Sequence, residues 1–377
     1  MNNQRFPEPR LLLGPGPSPV HPRVLAALGR PPIGYLDPEL FTILDEIADG
    51  LRFLFRTKNA YTIPLTGTGM SGMEFCLANL LEPGETIVVA VNGFFGGRMG
   101  EIAERVGASV VRVDHDWGMP IDAARVADAC DSLDKPPALV GCVHAETSTG
   151  VESDCAAVAK IAHERHALFV MDAVTSLGGI PVEVDDWNVD ACYSATQKCV
   201  GAPPGLSPVT LSSAAWEKIE KRKSLVPNWY LDAKKLDAYY HARPAAYHHT
   251  VPVNLLFALR ESLSLIREEG LEARWQRHTD NAALLWQRLG ALEAGFSPFA
   301  PAENRLPTLN SVRLPDDLHA TEADVRRRLL AEYGIEVGGG FGALAGKLWR
   351  VGLMGHGSQA RNVFALTGAL ETLLSKG

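Results

Sequence analysis

Between Thr86 and Val174, short apolar runs alternate with stretches of helical periodicity, and few folds accommodate that alternation. "TIVVAV" (Thr86 to Val91) precedes "GGRMGEIAERVG", and "ASVVRVD" comes next. "PALVGCVHA" (Pro137 to Ala145) follows a further helical stretch, and "DCAAVAKIAHERH" leads into "ALFVMDAV" (Ala167 to Val174). Strands that are apolar along nearly their whole length are buried on both faces. Interleaved with helices, they predict an α/β fold with a mostly parallel sheet covered on both sides. Upstream, "DPELFTILDEIADGLRFLFRT" reads as an amphipathic helix with an acid near its start. From about Leu265 the pattern turns to long helices and a few short strands ("TLNSVRL", "KLWRVGL"), which predicts a smaller α+β domain. The expected organisation is a Pro-rich arm over residues 1–20, a large domain over 21–264 and a small C-terminal domain over 265–377.

The balance of charges narrows the partners. A formal net charge of -8 over 377 residues, with no local basic stripe, argues against nucleic acid. The densest basic cluster, Arg326-Arg327-Arg328 after "TEAD", reads as the solvated face of a helix. Cys76, Cys130, Cys142, Cys155, Cys192 and Cys199 show no CxxC pair and no repeating interval, as expected of free thiols in a reducing compartment. "MNNQRFPEPRLLLGPGPSP" resembles neither a signal peptide nor a membrane anchor, and "LLSKG" carries no peroxisomal address. The expectation is a cytoplasmic protein without a membrane partner.

Ligands of parallel sheets bind outside the carboxyl ends of the strands. That directs attention to Asn92-Gly93-Phe94-Phe95, to His144-Ala145-Glu146-Thr147, to Asp172-Ala173-Val174 and to the segment leading to Lys198. Lys198 stands in "ACYSATQKCVGAPPGLSPV" among small and apolar residues, with no acid nearby in sequence. An ammonium is costly to desolvate, so a lysine in such a setting is there to be used. Asp172 ends an apolar strand 26 residues earlier, and a further strand-like piece, "DACYSA", would bring both groups to one sheet edge.

"TGTGMSGMEFCLANLL" contains Gly67-x-Gly69-x-x-Gly72, the form of a dinucleotide fingerprint. The acid that should end the next strand to hold a ribose is missing, because "TIVVAV" runs into Asn92-Gly93-Phe94. A phosphate site at a helix N-terminus survives this reading and the dinucleotide does not. A lysine, a carboxylate and a phosphate site together suit pyridoxal phosphate. The lysine forms the Schiff base, and the aspartate keeps the pyridine nitrogen protonated. No metal site is expected: His248 and His249 are adjacent and lack a third ligand, and "HERH" misses the HExxH spacing by one residue.

"LLLGPGPSPV", "GTGMSGMEFCLANLLEPGE", "NGFFGGR", "HAETSTGV", "MDAVTSLGG", "YSATQKCVGAPPGLSPV", "YHHTVPV" and "LWRVGLMG" follow one another in an order that resembles the class V (fold-type I) aminotransferases, within them the alanine–glyoxylate group. The resemblance spans nearly the whole chain. It implies that Lys198 binds the cofactor and then moves a proton between the substrate Cα and the cofactor, and that Asp172 partners the pyridine nitrogen. It places Val174 under the ring, Phe95 on the other face where many relatives carry tryptophan, and Thr147 beside the ring oxygen and the substrate. Thr68, Gly69, Met70 and Gln197 would hold the phosphate, with Met70 able to contribute only its backbone N–H. Tyr247 and Thr250 would reach the phosphate from a neighbouring subunit, making the enzyme a homodimer with shared sites. Arg350 would grip the substrate α-carboxylate, for which a planar guanidinium fork is suited.

The implied reaction is a ping-pong transfer of an amino group from L-alanine, or next from L-serine, to glyoxylate. Tyr35 and Asp37 in the entrance segment "PPIGYLDPE" could favour another donor, and pyruvate another acceptor. A lyase or desulfurase would need a mobile-loop cysteine, whereas Cys199 directly follows Lys198 and should point away from the site.

Overall fold

The computed structural model describes residues 6–375; the first five residues of the arm and the last two of the chain lie outside that range. Seven strands form the main sheet: β1 (Tyr61–Thr66), β2 (Thr86–Val91), β3 (Ser109–Asp114), β4 (Leu139–Val143), β5 (Leu168–Asp172), β6 (Ala191–Tyr193) and β7 (Leu206–Leu211). Their order is β1-β7-β6-β5-β4-β2-β3. The five strands from β6 to β3 are mutually parallel, and β7 runs against both of its neighbours. The mostly parallel sheet expected from the apolar runs is therefore present, and its interior strands are buried along their length.

Helices α1 (Pro38–Phe55), α2 (Gly69–Leu80), α3 (Phe94–Arg105), α4 (Cys155–Glu164) and α5 (Val253–Glu269) pack with this sheet into the first core. α1 starts where its residues dictate: Asp37 accepts a hydrogen bond from the Glu39 N–H at 2.9 Å, and Pro38 occupies the first turn, where no N–H is needed. Its Leu40, Leu44, Ile47, Leu51 and Leu54 form the buried stripe that helical spacing predicted.

A second core lies among α6 (Leu271–Ala291), α7 (Glu322–Tyr333), α8 (Ala360–Leu374) and a four-stranded antiparallel sheet. That sheet has strands β8 (Ser297–Pro298), β9 (Leu309–Arg313), β10 (Gly338–Gly339) and β11 (Leu348–Gly352) in the order β8-β9-β11-β10. Residue 265 lies inside α5, and the chain turns into α6 at Gly270, whose φ of +81° suits glycine. Leu271 still packs in the first core, while Leu285 and Leu289 on the same helix belong to the second.

The N-terminal arm fastens the second core to the first. Leu11 and Leu12 pair in parallel with Ile335 and Glu336, and Leu13 is wholly buried in the second core. The Leu13 carbonyl accepts a hydrogen bond from the Gly352 N–H at 2.8 Å. A few residues on, Ser18 donates its N–H to the Gln197 carbonyl and its hydroxyl to the Lys198 carbonyl, at 2.9 and 2.8 Å. A Cβ on Gly352 would lie 2.0 Å from the Gly14 carbonyl oxygen, a backbone atom with little freedom to move. Gly352→Ala is expected to lower the unfolding free energy by about 1–3 kcal/mol, as overpacking does, and to speed tryptic cleavage after Arg10. An unchanged thermal midpoint would show that the arm is not packed as described.

Candidate active site

At the carboxyl ends of β1, β4, β5 and β6 lies a cavity of about 120 Å³. Nine of the twelve residues singled out in the sequence line it: Thr68, Gly69, Met70, Phe95, Thr147, Asp172, Val174, Gln197 and Lys198. Met73 and Val143 complete the lining.

Lys198 sits in a wide turn over Thr196–Val200 that ends at Gly201, whose φ is +80°. The side chain is 9% exposed, and its Nζ donates to the Pro15 carbonyl of the arm. Burial and the nearby Arg350 hold the amine down at about 8. Among the described residues no carboxylate lies within ion-pairing distance of it. The main chain of the turn is clamped from outside as well. Arg274, itself buried, donates to the Cys199 carbonyl at 2.7 Å and to the Gly178 carbonyl at 2.8 Å.

Asp172 ends β5 and is almost fully buried. Its Oδ1 accepts from the Val174 N–H and its Oδ2 from the Tyr193 hydroxyl, both at 2.8 Å. Burial pushes the carboxyl up to about 7, against the pull of these two hydrogen bonds. Tyr193 lies in the quoted lysine segment but was not singled out there. Nothing local marks it, because its partner is supplied by the neighbouring strand.

The glycine triplet acquires a packing reason. Gly67 has a φ of +135°, open to glycine and little else, as the chain turns from β1 towards α2. A Cβ on Gly69 would come within 2.9 Å of Val174, and one on Gly72 would meet the Ser207 hydroxyl at 2.2 Å. Helix α2 therefore approaches the sheet closely with its N-terminus at the cavity, where first-turn N–H groups have no intrahelical partner. Beside it, the buried Gln197 Oε1 has no hydrogen-bond partner. A buried amine and a buried carboxylate lining one cavity, with the free N–H groups of a helix N-terminus beside them, fit pyridoxal phosphate.

Arg350 lies on β11, outside the cavity lining but in contact with it: its Nη1 donates to the Thr147 carbonyl at 3.4 Å. Its Nε donates to the Gly339 carbonyl at 2.8 Å, and the Phe341 ring lies 4.0 Å from the guanidinium carbon. The side chain is 5% exposed, and burial lowers it to about 10. Among the described residues it has no carboxylate partner.

Tyr247 and Thr250 are exposed and do not line the cavity of their own chain. Tyr247 packs instead against Tyr35, with ring centroids 5.1 Å apart. Between them His248 stacks on Trp229 at 4.7 Å, and His249 bonds Thr66 at 2.8 Å. Cys199 faces away from the cavity, with its sulfur 3.6 Å from the Thr175 carbonyl in an apolar cluster with Leu306, Leu309 and Met354. Sequence reasoning named Glu146 only as part of the stretch after its strand and gave it no role, although it is a wholly buried acid beside Thr147.

Residues 33–353 match the family model described as Aminotransferase class-V. The chain is 40% identical to the alanine–glyoxylate aminotransferase of Oryctolagus cuniculus, over 97% of this chain and 92% of that protein. A solved alanine–glyoxylate aminotransferase from Nostoc sp. superposes with a TM-score of 0.95 at 45% identity, covering 99% of this chain and 97% of that one. The ureidoglycine–glyoxylate aminotransferase of Bacillus subtilis also gives a TM-score of 0.95, at 36% identity, over 99% of this chain and 95% of that one. The protein belongs to the class V aminotransferases, and its cofactor is pyridoxal phosphate.

The raised Asp172 has a measurable consequence in protein prepared free of cofactor. The folded state keeps that proton up to about pH 7, whereas an unfolded aspartate releases it near 3.8. The folded state thus binds more protons across that window, and raising the pH through it costs stability. Asp172→Asn removes this cost, so the variant should gain on the wild type in denaturant midpoint from about pH 4 to 7. A difference that stays constant over the window would show that Asp172 ionises normally.

Proposed function

We propose that this protein is a homodimeric transaminase that moves the amino group of L-alanine to glyoxylate, releasing pyruvate and glycine. The observation that carries the reaction class is the buried Lys198 amine, placed with Asp172 and the α2 N-terminus around one cavity. The choice of acceptor is supported by relatives from separate organisms whose names share glyoxylate while their donors differ, alanine in one case and (S)-ureidoglycine in another. Alanine is preferred as donor on the higher identity to the alanine–glyoxylate proteins.

Pyridoxal phosphate, once bound, supplies an electron-accepting ring and a carbonyl carbon that takes up and gives back the amino group. The protein's residues do the rest. Asp172, fixed by Val174 and Tyr193, holds a proton at the pyridine nitrogen. Val174 and Phe95, both lining the cavity, would hold the ring, and Thr147 would stand beside them to meet its oxygen. The N–H groups of Gly69 and Met70, with Thr68 and Gln197, would hold the phosphate. Lys198, with its amine lowered to about 8, is a usable base near neutral pH and takes and returns the proton at the substrate Cα. Arg350 offers its unpartnered guanidinium to the α-carboxylate, an interaction strengthened by burial. Tyr247 and Thr250 complete the phosphate site of a second subunit, which accounts for polar side chains left at the surface of a single chain. With Cys199 turned away, a desulfurase reading has no nucleophile.

The direct test is a visible spectrum. Purified protein should be yellow, bleach with L-alanine and recover with glyoxylate, and Lys198→Ala should no longer trap cofactor covalently on borohydride reduction. A yellow wild type indifferent to alanine but bleached by another amine keeps the reaction class and changes the donor. A wild type that stays colourless with added pyridoxal phosphate ends the reading of Lys198.

Shared sites predict complementation. Lys198→Ala and the double variant Tyr247→Ala/Thr250→Ala should each be inactive or nearly so. Co-expressed in equal amounts, they should recover roughly a quarter of wild-type activity, since half the dimers are mixed and each mixed dimer has one intact site. No recovery in mixed dimers shown to form would place Tyr247 and Thr250 outside the partner's site.

A further inference from the structure

Glu146 is a wholly buried carboxylate for which the proposed chemistry has no use. It follows the short strand residue Ala145 at the cavity rim and immediately precedes Thr147. Among the described residues no cation lies within ion-pairing distance of it. Burial pushes its carboxyl up, against the pull of four neutral donors: the Ser148 hydroxyl at 2.6 Å, the Ser148 N–H at 3.0 Å, the Phe95 N–H at 3.2 Å and the Gly96 N–H at 3.4 Å.

Two of those donors belong to the first turn of α3. The residue at its N-cap, Gly93, has no side chain with which to cap it. A Cβ there would lie 2.4 Å from the Glu146 Cγ, so the glycine leaves the room that the carboxylate fills. Glu146 thus caps α3 from another loop, and the capped residue is Phe95, whose ring lines the cavity. Capping alone would be met by a serine or asparagine at position 93, without burying a charge.

The charges around it supply the second half of the account. Lys198 and Arg350 are buried cations without carboxylate partners, and Asp172 is the other buried acid of the site. When ionised, Glu146 and Asp172 can together offset Lys198 and Arg350; without Glu146, two buried cations face at most one anion.

We propose that Glu146 is a positioning residue of this active site, capping the helix that carries Phe95 and supplying the negative charge that offsets Lys198 and Arg350. The proposal rests on the transaminase reading, because Phe95 and Lys198 matter here through the cofactor.

The test uses the holoenzyme of Glu146→Gln, nearly the same shape without the charge. Two readouts go beyond a structural role. The pH midpoint of the colour change of the lysine-bound cofactor should fall by on the order of one unit, since a lost anion destabilises the protonated form. The kcat should fall roughly tenfold to a hundredfold with the donor KM within about threefold, as for a misplaced rather than an unbound substrate. An unchanged midpoint together with an unchanged kcat overturns the proposal. Should the variant fail to fold or hold cofactor, Ser148→Ala decides. It keeps the carboxylate but removes its shortest hydrogen bond, along with the bond at 3.0 Å that the Phe94 N–H donates to the same hydroxyl, and must lower kcat by about threefold or more at constant KM. An unaltered kcat there also overturns the proposal. A wild type that never turns yellow fails the transaminase reading instead, so the two failures are distinguishable.

Discussion

Everything at this site follows from one amine kept from water. Lys198 is buried with no acid beside it, and a backbone carbonyl from the far end of the chain is its hydrogen-bond partner. Such burial disfavours the ammonium and lowers the amine to about 8, within reach of a base working near neutral pH. A lysine held this way would relax towards solvent unless its main chain were pinned. Here Ser18, Ser262 and Arg274 hold the carbonyls of Lys198, Val200 and Cys199. Arg274 is anchored in turn by Glu269 at 2.7 Å, at the end of α5. The junction between the two cores is therefore also the frame of the lysine turn.

The arm gives that frame its second role. Its Leu11 and Leu12 pair with the strand at Ile335, Gly14 packs on Gly352, and Ser18 bonds to the Lys198 turn. Gly16 touches the lysine so closely that a Cβ would lie 2.9 Å from Nζ, and its φ of +112° also belongs to glycine. The arm thus touches both β11, which carries Arg350, and the turn that carries Lys198.

Most of the fold was legible because its signals are local and periodic. The apolar runs of β2, β4 and β5 cannot face water on either side, so a covered parallel sheet is their consistent arrangement. The antiparallel β7 was not legible, since strand direction depends on which edge the chain returns to. Of the site, Lys198, Asp172 and the glycine triplet stood out as residue types out of keeping with their surroundings. Tyr193 and Glu146 did not. A tyrosine in a strand and an acid after one are ordinary locally, and become informative only through partners supplied by other strands and helices.

The sequence by itself determined the class of fold, the cofactor chemistry and the side chains able to perform it. Hydrophobic period and the rarity of an isolated lysine are properties of neighbouring residues in the chain. The tertiary structure alone decided that Pro15 and Ser18 meet Lys198 across some 180 residues, that Glu146 caps the Phe95 helix, and that Tyr247 and Thr250 stand outside their own chain's cavity. Those relations depend on which surfaces pack together, and long-range packing is set by shape and burial summed over the whole chain.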